Sequence, residues 1–241
     1  MSRKIIRVSG PDRETFLQGL VTNDVRHTPC WAALLSPQGK YLADFLIIPD
    51  GDDSLLIDID ARLASDLVRR LTMYRLRSNV EIAMTDMTVG IGSGHTPEGA
   101  IPDPRHYAMG WRKYGSSGSD GTNWDALRVA HCIPETLVEL IPNETYILEV
   151  GFERLHGVDF RKGCYVGQEV TARMKHKTEL RRGLVPVRID GAAPVGTPVM
   201  RDGREIGTLF TQSGTRAMAL MRLDKMGTSM SAGNARIYAA A

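Results

Sequence analysis

The stretch Lys162-Gly163-Cys164-Tyr165-Val166-Gly167-Gln168-Glu169 decides how this chain is read. One thiol stands between a cation and a run of hydrogen-bonding groups, with a glycine on either side. Glycine permits backbone conformations and close approaches that a Cβ forbids. The chain runs on as Val170-Thr171-Ala172-Arg173-Met174-Lys175, which contains good helix formers. The pattern predicts a glycine-shaped turn feeding a short helix from about Gln168, with Cys164 just ahead of its positive end. A nearby cation such as Lys162 and a helix N-terminus both favour thiolate. The competing reading is burial as a small apolar side chain, the common habit of a lone cysteine. Cys30 and Cys132 lack such neighbours, so for them the buried reading stands.

Outward from the octapeptide, the texture changes at residues 178 to 183. Beyond it lie short β-like runs, Leu184 to Ile189, Arg204 to Thr211 and Thr215 to Leu223, with Asp202-Gly203 as a hairpin turn. They predict a small antiparallel barrel or sandwich over residues 181–241. Before it, Lys4 to Val8 read as a strand. A helix then carries Phe16, Leu17 and Leu20, with Ser9 or Gly10 at its cap and Pro11 in its first turn. Cys30 to Leu35 and Tyr41 to Ile48 read as a hairpin across Ser36-Pro37-Gln38-Gly39-Lys40. Ser54 to Ile59 form the next strand, and Asp60 caps a helix with Leu63, Leu67, Val68 and Leu71 on one face. Asn79 to Ile91 and Tyr107 to Trp111 are expected as strands. Gly92 to Arg105 and Gly115 to Gly121 are expected as loops, and Thr122 to His131 as a helix ended by Pro134.

A chain of 241 residues, 42% hydrophobic and 24% charged, has the composition of a soluble globular protein with a substantial core. A net charge of +2 does not by itself imply nucleic acid. The basic run Arg173, Lys175, His176, Lys177, Arg181 and Arg182 lacks interleaved aromatics, so a solvated hinge outranks an RNA-binding surface. The three cysteines show neither a CxxC pair nor finger spacing, which predicts a reducing compartment and no metal site. No run approaches a membrane span, and the N-terminus lacks a secretory h-region and an Arg-rich presequence. The expectation is a cytoplasmic protein without membrane attachment.

Three further positions carry open alternatives. Asp44, in an otherwise apolar strand, is either an edge or paired carboxylate or an acceptor for the donor edge of a heterocycle. Asp103-Pro104-Arg105, with Arg112 beyond, reads most plainly as an Asx-type turn with an arginine ion pair. Asn23 and Asp24 could cap the chain or orient a ligand. Walker A, dinucleotide-fingerprint and HExxH patterns are absent.

The octapeptide, followed by Ala172-Arg173, closely resembles the signature of the YgfZ family of folate-binding proteins. That family includes mitochondrial iron–sulfur assembly relatives and is similar in turn to the glycine-cleavage T-protein, an aminomethyltransferase. The likeness extends through Val8-Ser9-Gly10-Pro11-Asp12, Phe16-Leu17-Gln18-Gly19, Thr22-Asn23-Asp24, and Leu35 to Lys40 with Asp44. Asp103-Pro104-Arg105, Gly110-Trp111-Arg112 and Ile133-Pro134-Glu135 continue it, so the blocks run in order along nearly the whole chain.

The resemblance implies an α+β fold. Two interwoven T-protein-like subdomains over residues 1–180 would surround a central folate-sized cavity, followed by the C-terminal barrel. It implies tetrahydrofolate as cofactor, and iron–sulfur proteins or their assembly machinery as partners. It makes Cys164 the critical residue, beside Lys162 and Asp44. Asn23, Asp44, Tyr165, Gln168, Glu169 and Arg173 become the folate-contacting candidates. The aminomethyltransferases carry two adjacent acids where this chain has Ala43 and Asp44. That departure favours assembly or repair of iron–sulfur proteins over folate-dependent aminomethyl transfer, which stands as the alternative.

Overall fold

Aliphatic and β-branched runs in the first third of the chain build a five-stranded antiparallel sheet. The structure is a computed structural model that describes residues 2–177 and 179–239. Thr178, part of the expected domain boundary, and the side chain of Lys177 lie outside the described residues. The elements are β1 (Arg3–Ser9), α1 (Arg13–Gln18), β2 (Cys30–Leu35), β3 (Tyr41–Asp50), β4 (Ser54–Asp60), α2 (Ala61–Arg75) and β5 (Glu81–Met84). The strand order is β2-β3-β4-β1-β5. Ile6, Ala32, Leu34, Phe45, Ile47 and Ile57 pack on Phe16 and Leu17 of α1 and on Ala64, Leu67 and Leu71 of α2. Each large aliphatic so buried contributes about 1.5–3 kcal/mol. Ala33 pairs with Asp44 and Leu46 with Asp58, so both acids lie on the opposite face of the sheet. Because both faces are covered, β2 and β3 read as continuous apolar runs rather than alternating ones.

Local chemistry explains most boundaries. Asp60 caps α2 by accepting from the Arg62 backbone N–H at 2.9 Å. The β2–β3 turn closes through Ser36 N–H to Lys40 C=O and Gly39 N–H to Ser36 C=O, both 2.8 Å. The cap expected at Ser9 or Gly10 falls at Asp12 instead. Its carboxylate accepts from Asn79 N–H at 2.7 Å and makes no cap bond to α1, and Leu20 lies past the helix end.

The segment expected as one strand from Asn79 to Ile91 divides. Glu81–Met84 joins the large sheet, whereas β6 (Val89–Gly92) joins a second sheet with β7 (Ile101–Pro102) and β8 (Trp111–Tyr114), in the order β6-β8-β7. Tyr107–Met109, expected as strand, is a 3₁₀ turn, because Gly110 at φ 63° breaks the extension before Trp111. Gly110 sits where a Cβ would fall 2.0 Å from the Gly92 carbonyl oxygen.

Arg112 of β8 reaches the acid face of the large sheet, donating to Asp58 at 2.9 Å and to Asp103 at 3.0 Å. Arg3 and Tyr114 also donate to Asp58, at 2.6 and 3.0 Å. Arg105 clasps Asp103 with two side-chain bonds of 2.9 and 2.7 Å plus its backbone N–H. The plain reading of Asp103-Pro104-Arg105 as an Asx turn with an ion pair therefore describes it, but buried rather than at the surface. Burial opposes ionisation of Asp58, and the guanidinium groups of Arg3 and Arg112 outweigh it, so its carboxyl is held below the usual range.

Chain contacts divide the molecule into two compact units, residues 1–122 with 153–170 and residues 123–152 with 171–241. A single cut between 180 and 181 does not reproduce that division, because residues 123–152 and most of α4 (Gln168–Lys177) cluster with the C-terminal strands. The second unit contains α3 (Trp124–His131), which ends at Cys132 in left-handed conformation, φ 52°, two residues before the expected breaker Pro134. Six strands follow: β9 (Arg182–Asp190), β10 (Pro198–Arg201), β11 (Arg204–Ser213), β12 (Arg216–Arg222), β13 (Met230–Ala232) and β14 (Ala235–Ala239). They close into an antiparallel barrel, β10-β11-β12-β9-β14-β13, around Val199, Leu209, Ala217, Met221 and Ile237. Asp202 and Gly203, at φ 51° and 73°, make the expected two-residue hairpin turn. Within this unit buried Arg128 donates to Glu139 at 3.1 Å and to Thr211 at 3.1 Å, tying α3 to β11.

Candidate functional site

The octapeptide forms the predicted turn and enters α4 at Gln168. Gly163 and Gly167 adopt φ of 103° and 83°, conformations that L side chains rarely take. Between them Cys164 is exposed, as a free thiol, while Cys30 and Cys132 are buried. Burial pushes the Cys30 thiol up to about 12. The buried reading thus holds for two cysteines and fails for the third.

The turn around Cys164 is braced on both sides. Gln168 Nε2 donates to the Gly163 carbonyl at 2.9 Å, across the base of the loop. Lys162, 7% exposed, turns inward, and its Nζ donates to the carbonyls of Gln18 and Val21 at 2.6 and 2.5 Å. Its ammonium also stands 5.1 Å from the centre of the Tyr165 ring. The lysine expected to act on the thiol is therefore committed to the carbonyls at the end of α1. Burial lowers its pKa to about 8, against the pull of Asp24. Gln18 completes the lock: Nε2 donates to the Lys162 carbonyl at 3.3 Å and to Asp24 at 3.1 Å, while Oε1 accepts from Val25 N–H at 3.0 Å.

Asn23 serves the same framework. Its Nδ2 donates to the carbonyls of Trp31 and His156 at 2.7 and 2.6 Å, and its Oδ1 accepts from Asp24 N–H at 2.9 Å. Both amide hydrogens are thus engaged by backbone. Asp44 is 5% exposed and accepts from Trp31 Nε1 at 2.9 Å and Tyr41 OH at 2.7 Å. Tyr165 is buried, and Glu169 and Arg173 are exposed on α4.

A cavity of about 550 Å³ opens in the first unit, lined among others by Asn23, Cys30, Trp31, His156, Asp159 and Arg161. Of the expected site residues it takes in Asn23 alone. Among the described residues no group of three or more His, Cys, Asp and Glu could hold a metal ion. Nor is any helix among the described residues long and apolar enough to cross a membrane.

Sequence reasoning missed Gln18, Trp31 and Tyr41 as members of these constellations. Gln18 stood inside a quoted block, but nothing in one sequence pairs it with Lys162. Trp31 and Tyr41 are apolar-strand residues until the hairpin register brings their polar atoms to Asp44.

These features define a class: an aminomethyltransferase-like α+β fold with a closed C-terminal barrel and an exposed thiol on a braced glycine turn. The fold matches the crystal structure of glycine cleavage system aminomethyltransferase T from Bartonella henselae. The TM-score is 0.74, over 99% of this chain and 83% of that one, at 13% identity. Residues 181–241 match the family described as CAF17, C-terminal beta-barrel domain.

Over 80% of its length the chain is 33% identical to the iron–sulfur cluster assembly factor IBA57 homolog, mitochondrial, of Neurospora crassa, covering 54% of that protein. The corresponding protein of Mycosarcoma maydis is 30% identical over 95% of this chain, 65% of its own length. Human IBA57 is 29% identical over 93%, covering 76% of its own length. These similarities agree with the resemblance to the YgfZ-type family that the octapeptide carries. It spans between half and two thirds of the two fungal relatives.

These relatives are named mitochondrial, which overturns the expectation of a cytoplasmic protein. Targeting is read from an address segment and not from the folded domain, so the composition of the domain carries no such information.

Proposed function

We propose that this chain is a tetrahydrofolate-binding factor for assembly or repair of iron–sulfur proteins, acting through Cys164. The observation that carries the reading is the exposed thiol on a turn held by Gly163, Gly167, Gln168 and Lys162. A thiol on a braced, glycine-shaped loop is pre-positioned for a partner, which lowers the ordering cost of docking. The names of the relatives supply the process and, as partners, the cluster-assembly machinery.

In this reading Asp44 is the candidate partner for the polar edge of the pterin. A buried carboxylate held by Trp31 and Tyr41 has the acceptor chemistry that the adjacent N–H groups of an amidine-like edge call for. Tetrahydrofolate, when bound, would supply a reduced pterin and a one-carbon carrier. The chain's own contribution is to hold and orient it. Cys164, displayed at the surface, meets the partner protein or its cluster.

Complementation of a host lacking the endogenous factor tests the first half of this reading. Cys164→Ala is expected to fail to restore cluster-enzyme activities, and full restoration would sink the assignment to the thiol. Calorimetric titration with tetrahydrofolate tests the second half. Asp44→Asn should lose binding at least about tenfold, the usual weight of a buried charge-assisted hydrogen bond. Cys164→Ser should bind normally. The aminomethyltransferase alternative has the fold behind it and predicts tetrahydrofolate-dependent ammonia release, sensitive to Asp44→Asn and indifferent to Cys164→Ala.

A further inference from the structure

The C-terminal end of α2 carries chemistry that the proposed function does not use. Met73, Tyr74 and Leu76 are 72%, 40% and 88% exposed, so three large apolar side chains open to water lie within one helical turn. Isolated exposed leucines are ordinary, but contiguous apolar exposure marks an interaction surface. Leu76 also holds φ 42° and ψ −105°, a conformation unfavourable for a β-carbon-bearing residue. Ser78 N–H donates to the Arg75 carbonyl at 2.7 Å, so a hydrogen-bonded turn holds Leu76 in this conformation with its side chain in water.

Beside these residues lies a groove of about 780 Å³. Its walls are Asp12, Thr15 and Phe16 on one side and Tyr74, Leu76, Arg77 and Ser78 on the other. The rim is basic. Arg75 and Arg77 are exposed, and neither makes an ion pair among the described residues. The neighbouring acids are engaged, Asp66 by Arg69 and Arg70 and Glu14 by Arg13. Asp12 accepts from Asn79 N–H. The helix dipole accounts for a cation at Arg75 in the last turn of α2, but not for Arg77 beyond it or for the exposed leucine.

We propose that this groove docks an acidic amphipathic helix of a partner protein. One apolar side chain would enter between Phe16 and Leu76, with carboxylates on either side facing Arg75 and Arg77. A concave wall suits an inserted side chain better than a flat lipid surface does, and the unbalanced arginines select the sign of the partner. The inference is independent of the Cys164 turn and stands or falls separately from it.

The test uses the full chain and a fluorescein-labelled helical peptide of about 15 residues, with leucines at i, i+4 and i+7 flanked by glutamates. A lysine-for-glutamate version is the control. Fluorescence anisotropy should show saturable binding of the acidic peptide, at least about tenfold tighter than the control and weakened by salt. Leu76→Ser and, separately, Arg75→Glu with Arg77→Glu should each reduce affinity about tenfold, as hot-spot truncations do, with thermal melting unchanged. Absence of binding, equal affinity for both peptides, or indifference to both variants would overturn the proposal. So would loss of co-sedimentation with phosphatidylserine–phosphatidylcholine vesicles in those variants while peptide binding persists, which would assign the surface to a membrane.

Discussion

Gly39 and Gly167 meet backbone to backbone: a Cβ on Gly167 would lie 3.1 Å from the Cα of Gly39 and 2.6 Å from the Ser36 carbonyl oxygen. The β2–β3 turn and the octapeptide, distant in sequence, thus approach too closely for a Cβ at either glycine. Each glycine also holds positive φ, 74° at Gly39 and 83° at Gly167. The two requirements reinforce one another, since either alone disfavours any other residue.

Gly167→Ala should therefore destabilise the protein by more than about 2 kcal/mol, because backbone strain and a backbone clash coincide. Gly163→Ala, at φ 103° but facing open space, should lose only about 1 kcal/mol. Urea unfolding of the two variants checks the order, and equal losses would remove the close approach as the cause.

Lys162→Met should cost about 1–3 kcal/mol, because the carbonyls of Gln18 and Val21 lose their buried donor. Alkylation of Cys164 at neutral pH should change by less than about twofold, since the ammonium is turned to α1. A large drop in alkylation would restore the lysine as activator of the thiol. The pH dependence has a definite sign. With its pKa lowered to about 8, folded Lys162 binds fewer protons than the unfolded chain from there up to about 10.5. Stability contributed by this group rises with pH across that window. The difference between wild type and Lys162→Met should therefore widen in favour of wild type from pH 8 to 10.5.

Arg112 links two buried acids, Asp58 and Asp103, and its removal takes one charge-assisted bond from each, leaving Asp58 to Arg3 and Asp103 to Arg105. Arg112→Ala should cost about 3–5 kcal/mol, the range for breaking a buried pair. The carboxyls of Asp58 and Asp103 are held below the ordinary range, so the folded state takes up protons later than the unfolded chain on acidification. Their stabilisation is complete above the unfolded carboxyl pKa of about 4 and fades as pH falls below it. Chemical denaturation between pH 6 and 2.5 should show this slope in wild type and a shallower one in Asp58→Asn.

Gln168→Ala removes the bond to Gly163 that closes the turn. A loss of about 1 kcal/mol is expected, with faster amide exchange confined to Gly163 through Val166. Exchange that stays unchanged there would mean the two glycines hold the turn without the glutamine.

Much of the fold was legible because its signals are local. Asp60 before an amphipathic run announced α2, Ser36-Pro37-Gln38-Gly39-Lys40 announced the hairpin, and Asp202-Gly203 announced a barrel turn. The failures were local signals overridden at a distance. Tyr107 to Trp111 has strand-forming residues, but the contact of Gly110 with Gly92 reverses the chain there. Asn79 to Ile91 has one β texture, yet its halves find different sheets.

For the site, the sequence by itself determined that one of three cysteines sits on a glycine-framed turn before a helix. It also carried the family resemblance of that turn, since glycine spacing and helix onset are short-range properties. Only the tertiary structure decided what Lys162 does, because the direction of a long side chain depends on the carbonyls packed beneath it. It likewise decided that Asn23 is engaged by backbone and that Asp44 is held by Trp31 and Tyr41. Hydrogen-bond partners are chosen by burial and register, and neither is written in a linear pattern.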